Sequence, residues 1–203
     1  MTANRTRGNK LDVKPYTQWE PGVTSPASAC GPATLAALTE YWHTGRGRTY
    51  IRGLSHYSSQ AAHINALYSH HGGRPWGMSV RGFIRGLKSY LATKSAGTRV
   101  AKPVISVFNN LPRYMEEIDS LRPVAIKFDK WSGLRWRGNF AYDYHWVLGV
   151  GYEEREDHSG TVLIVQDNGI RHKNGTYTPG RERRIPYAPN RRIITMIACL
   201  MVD

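Results

Sequence analysis

A chain of 203 residues that is 40% hydrophobic, with six Trp and twelve Tyr, can build one domain with a substantial core, and nothing in 1–203 reads as a second-domain linker, a repeat or a low-complexity tract. Its 28 Lys plus Arg against 15 Asp plus Glu give a net charge of +13, which favours an anionic partner or surface, yet no nucleic-acid-binding motif accompanies it. Two distant cysteines exclude a disulfide framework, no segment is long and apolar enough to span a membrane, and the polar opening Met1 to Lys10 lacks a signal-like apolar region, so a soluble chain with a flexible basic N-terminus (1–12) is expected, cytoplasmic or, as the alternative, a trimmed secreted form.

The first predicted helix starts at Cys30-Gly31-Pro32-Ala33-Thr34-Leu35 and runs to Tyr41 and Trp42. Pro32 suits a first turn, where a missing N–H costs nothing, and the alanines and leucines that follow are good helix formers. A flexible basic loop, Gly45 to Arg48, separates it from a second helix over Ser59 to His71, which the pair Gly72-Gly73 ends as a C-cap and turn. Ser79 to Leu91 carries Val80, Phe83, Ile84, Leu87 and Leu91 at helical spacing, with arginines elsewhere. Asn110 caps a further helix to Leu121, with Pro112 in its first turn.

Strands follow. Pro123 to Asp129 opens the set, and His145-Trp146-Val147-Leu148-Gly149-Val150-Gly151-Tyr152 is apolar and β-prone. After the charged turn Glu153 to Gly160, the run Thr161 to Gln166 is a buried strand that Asp167-Asn168-Gly169 terminates. Ile193 to Val202 forms a C-terminal strand that holds Cys199 as an inert buried thiol. A helical half followed by antiparallel strands argues α+β.

Cys30 lies where backbone N–H groups and the helix dipole favour a thiolate, so it is the candidate nucleophile. His145, rigidly held at the mouth of a buried strand, is the candidate base, and antiparallel pairing of the two strands places Asp167 beside it. Asp167-Asn168-Gly169 also reads simply as a turn. The loop Lys130 to Tyr144, with Trp131, Trp136, Phe140, Tyr142 and Tyr144, leads into His145 and is expected to wall a cleft and grip a peptide through aromatic faces. The arginines of Arg181-Glu182-Arg183-Arg184, Arg191-Arg192 and Arg135-Trp136-Arg137 read as solvated faces, with an acidic partner as the alternative. His63, His70 and His71 lack ligand spacing, so no metal is expected.

CGPA at a helix start, HWVLGVGY and a strand ending in VQD together resemble the papain-like cysteine peptidases, specifically the bacteriocin-processing, double-glycine type and its stand-alone relatives, over most of the chain. The resemblance implies a papain-like fold, helices packed on an antiparallel sheet, and a peptide or protein substrate with no metal or organic cofactor. It implies Cys30 as nucleophile, His145 as base, Asp167 as the residue orienting it and Gln18 as oxyanion donor. Two departures stand out: the spacer Glu20 to Ala29 is long, so Gln18 needs a looped insertion, and Asn168 replaces a frequent proline and rivals Asp167. A thiol acyltransferase of transglutaminase-like type, a catalytically silent binding module of the same fold and a basic anion-binding protein remain alternatives.

Overall fold

A computed structural model describes residues 7–93, 102–132, 134, 137–154, 160–172 and 174–202. In chain order these form β1 (Arg7–Lys10), α1 (Cys30–Glu40), α2 (Gln60–His70), α3 (Val80–Ala92), β2 (Lys102–Phe108), α4 (Leu111–Asp119), β3 (Val124–Asp129), β4 (Tyr144–Glu154) and β5 (Thr161–Asp167), then the short pair β6 (Ile170–Arg171) and β7 (Tyr177–Thr178), β8 (Arg181–Pro186), α5 (Tyr187–Asn190) and β9 (Ile194–Val202). The main sheet is antiparallel in the order β2-β9-β3-β4-β5-β8, with β1 paired to the far end of β4. The α+β expectation holds, but the strands do not all follow the helices, because β1 precedes α1 and β2 lies between α3 and α4.

The flexible N-terminus is corrected by that pairing. Arg7 to Lys10 is hydrogen-bonded along Gly151 to Glu154, Leu11 N–H donates to the Val150 carbonyl at 2.8 Å, and the Leu11 side chain is buried; Met1 to Thr6 lie outside the described residues. Gly151 permits the approach, since a Cβ there would meet the Asn9 carbonyl at 2.5 Å.

Every residue of α1 is buried, as its nearly unbroken apolar composition requires of a central helix. It packs against β4 and β3 and against α2 and α3. The helix closes in a π-turn over Tyr41–Gly45, where Arg46 N–H reaches the Tyr41 carbonyl at 3.0 Å. The cap expected at Asn110 is present, and Ser59 and Ser79 do the same: the three side chains each accept a first-turn N–H, of α4, α2 and α3 respectively. Gly72, at φ +99°, ends α2, and Gly73 N–H returns to the Tyr68 carbonyl at 2.9 Å. This is the C-cap expected of the glycine pair.

β3 and β4 are buried along nearly their whole length, so both of their faces are covered. On one face Trp146 stacks on Phe83 of α3 at 4.4 Å and donates to the Met78 carbonyl at 2.8 Å. On the other, Tyr114 of α4 lies over Gly149, where a Cβ would meet its ring at 2.7 Å.

A polar cluster sits inside the helical layer. His63 is fully buried, with Nδ1 3.1 Å from the Tyr16 hydroxyl, Nε2 2.9 Å from that of Tyr90, and its ring stacked on Tyr57. Burial, with Arg52 and neighbouring histidines adding to it, pushes the imidazole down to about 3. The folded state therefore keeps His63 neutral, whereas the unfolded chain binds a proton below about 6.5. Its contribution to stability is full above that value and is lost as pH falls toward 3, by up to about 1.4 kcal/mol per pH unit. His63→Gln is expected to flatten the acid side of a Tm-against-pH profile between about pH 6 and 4. An unchanged slope would assign the acid loss to carboxylates instead.

Candidate active site

Cys30 is the first residue of α1 and its side chain is 4% exposed. His145 enters from the start of β4. The antiparallel register Leu148 opposite Gln166 sets Asp167 on the same sheet face as His145, and His145 Nε2 is 3.1 Å from Asp167 Oδ1. That bond leaves Nδ1 available to the thiol, since Cys30 and His145 line the same cavity. Burial by itself would lower the imidazole, but the bonds to Asp167 and Cys30 and their charges outweigh it and raise it to about 9. Asp167 is held the opposite way: burial opposes ionisation, while hydrogen bonds from His145, Tyr142 and Arg183 prevail and lower it to about 2.

Asp167 serves as turn former and histidine partner at once. Its Oδ1 accepts from Gly169 N–H at 2.9 Å, an Asx-type turn, and from His145. Oδ2 accepts from the Tyr142 hydroxyl and from Arg183 Nη1 at 3.1 Å, and Arg183 also donates to the Tyr142 oxygen at 2.9 Å. Tyr142 leans on the imidazole, ring centroids 4.7 Å apart, with the Arg183 guanidinium over its other neighbourhood at 5.0 Å.

Asp167 and Asn168 send their side chains to different partners. Asn168 turns away from His145 and donates Nδ2 to the carbonyls of Cys30 (3.0 Å) and Trp146 (2.8 Å) and to the Thr34 hydroxyl (2.8 Å). It ties the start of α1 to β4. A proline has no such donor.

Gln18 reaches the site despite its long spacer. Residues 20–29 fold into consecutive turns ending in a 3-10 turn at Pro26–Ser28, and Asn65 of α2 pins them through Thr24 N–H (3.0 Å) and the Gly22 carbonyl (2.8 Å). Gln18 N–H bonds the Asn168 carbonyl at 2.9 Å, and Nε2 donates one hydrogen to the Pro26 carbonyl at 2.7 Å. Its Oε1 is buried without a partner. Gln18, Ser28, Cys30, Trp76, Tyr144 and His145 line one cavity of about 220 Å³.

Two expectations about the surroundings are corrected. Of the loop Lys130 to Tyr144, only Tyr144 among the described residues lines this cavity; Tyr142 is spent on Asp167, Phe140 packs on the core, and Arg135 and Trp136 lie outside the described residues. Beside Tyr144 the wall is Pro75-Trp76-Gly77, with Trp76 80% exposed, a segment the sequence did not single out. Nor is Arg181 to Arg184 simply a solvated face. Val165 opposite Arg183 turns that arginine to the Asp167 face, while Arg184 pairs with Glu153 and Glu182. Strand alternation within RERR was the signal available.

No group of three or more metal-ligating side chains gathers among the described residues, and no helix there is long and apolar enough to cross a membrane. An α+β domain with a thiol at the head of its central helix, facing an imidazole held by a carboxylate, has the apparatus of a thiol nucleophile. Residues 10–184 match the Peptidase_C39 like family; the chain belongs to it, and so is related to the papain-like cysteine peptidases of C39 type. No curated protein matches the chain.

Proposed function

We propose that this protein hydrolyses a peptide or amide bond through Cys30, His145 and Asp167, by way of an acyl-enzyme. The observation that carries this reading is an imidazole held by a buried carboxylate through one nitrogen and sharing a cavity with a thiol at a helix start. His145 Nδ1 takes the Cys30 proton and the sulfur bonds to the substrate carbonyl carbon. The resulting oxyanion receives the Cys30 backbone N–H and the second Nε2 hydrogen of Gln18, whose first is fixed on Pro26. As the C–N bond breaks, the imidazolium returns its proton to the departing amine. Water then attacks the thioester, gives a proton to His145, and releases the acid with the thiol restored.

The test is the rate of Cys30 alkylation by iodoacetamide, mapped by mass so that it is distinguished from Cys199, whose thiol burial pushes up to about 12. Near neutral pH, His145→Ala is expected to slow alkylation more than about tenfold, and Cys30→Ala to remove it together with any peptide hydrolysis. Equal rates with and without the imidazole would sink the activated-thiol reading.

A further inference from the structure

Next to the Cys30 cavity, and sharing Trp76, Gly77 and Tyr144 with it, lies a larger groove of about 650 Å³ between the α2–α3 connection and α3. Its walls carry Arg74, Arg81, Arg85 and Lys127, and no Asp or Glu lines it. Arg81 and Arg85 are one helical turn apart on α3, so both guanidiniums project from the same side of the helix. Lys127 is already paired with Asp129 at 2.7 Å. Arg74, Arg81 and Arg85 have no carboxylate partner among the described residues, whereas Arg113 and Arg122 both pair with Glu117 and Arg184 with two glutamates. Three exposed, unneutralised guanidiniums along one groove repel each other unless something anionic lies between them.

We infer that this groove is a specificity subsite for the substrate, taking acidic side chains a few residues from the bond presented to Cys30. This rests on the reading of Cys30 as nucleophile. An extended peptide advances about 3.3 Å per residue, so a chain crossing Trp76 from the cavity enters the groove within a few residues. Carboxylates at those positions meet guanidiniums that can bind them bidentately. The exposed indole at the junction supplies a flat apolar surface for the backbone between the two regions.

The experiment compares three short peptidyl acyloxymethyl ketones that share a glycyl carbonyl and carry Glu, Gln or Lys at the remaining positions. Rates of Cys30 modification are read on the wild type and on the triple variant Arg74→Gln, Arg81→Gln, Arg85→Gln, with iodoacetamide as the control for the thiol itself. The Glu probe is expected to react about tenfold faster than the Gln probe and faster still than the Lys probe, with the preference shrinking in high salt. In the triple variant it falls to about twofold or less while the iodoacetamide rate is unchanged. Equal rates for the Glu and Gln probes on wild type, with normal iodoacetamide reactivity, would overturn the subsite and leave the nucleophile standing. A DNA oligonucleotide of matched charge that suppresses Glu labelling more strongly than excess Glu peptide would also overturn it. The same peptides without the electrophile, followed by fluorescence anisotropy on Cys30→Ala, test the groove apart from the thiol. A Glu preference abolished by the triple variant supports the groove even where Cys30 proves unreactive, and the lack of any preference rejects it.

Discussion

Asp167→Ala is expected to lower turnover by a factor on the order of 10³ and to cost roughly 3 kcal/mol of stability. The carboxylate is 1% exposed and receives His145, Tyr142, Arg183 and Gly169 N–H together, so its removal strands four donors and frees the imidazole to rotate. Asp167→Asn separates orientation from charge. The amide oxygen still accepts from Nε2, so most of the lost turnover returns, but the charge that helps hold His145 protonated does not. The two raised and lowered values fix the signs. His145, raised to about 9, contributes stability that is full below about 6.5 and is lost as pH rises through 9. Asp167, lowered to about 2, contributes stability present above its ordinary carboxylate value and lost only as pH falls toward 2. The alkaline limb of the wild-type rate profile therefore falls near pH 9, and in Asp167→Asn it moves down toward about 6.5. A limb that stays in place would show that another group sets it.

Asn168→Ala is the second large effect, and it works through the backbone. One amide nitrogen serves the carbonyls of Cys30 and Trp146 and the Thr34 hydroxyl, all in the interior, and no water can replace it there without space. Truncation leaves these acceptors unpaired at about 1–3 kcal/mol for each that stays so, and a loss of roughly 3 kcal/mol is expected in chemical denaturation. Because the bond set joins the start of α1 to β4, Cys30 alkylation slows as well, although His145 and Asp167 are untouched. Asn168→Asp is worse, since it turns a carboxylate toward two carbonyl oxygens beside the ionised Asp167; little folded protein is expected. Wild-type stability in either variant would deny Asn168 this role.

Much of this was readable from the residues, and the reason differs by element. Helices α1 to α4 and strands β3, β4, β5 and β9 are long apolar or strongly periodic segments, and their capping residues act locally, so pattern and position agree. Cys30, His145 and Asp167 were legible because a helix start, a strand start and a strand end are each marked by a change of pattern. β2 and β8 were not read. Both end the sheet, carry exposed or charged side chains on one face and so lack a core signal; Pro103 is tolerated in β2 for the same reason. Arg183 was hidden by that charge, since only pairing with β5 shows which arginine of RERR turns inward. Trp76 and the three groove arginines become a unit only through the packing of α3 on the end of α2, where Gly86 allows an approach that a Cβ would block at 2.1 Å from the His71 carbonyl. That contact has no sequence period.

The order of strands makes assembly of the sheet depend on a late insertion. β9, the last of the described elements in chain order, does not sit at the margin but between β2 and β3, along seven residues of one and four of the other. The strands bearing His145 and Asp167 are flanked by β3 and β8, but β3 keeps an open edge until β9 inserts, so the sheet is continuous from β2 to β8 only with Ile194–Val202 in place. The support of the strands that carry His145 and Asp167 is thus non-local: loosening β9 is expected to loosen the sheet behind the candidate site, although no residue of β9 lines its cavity.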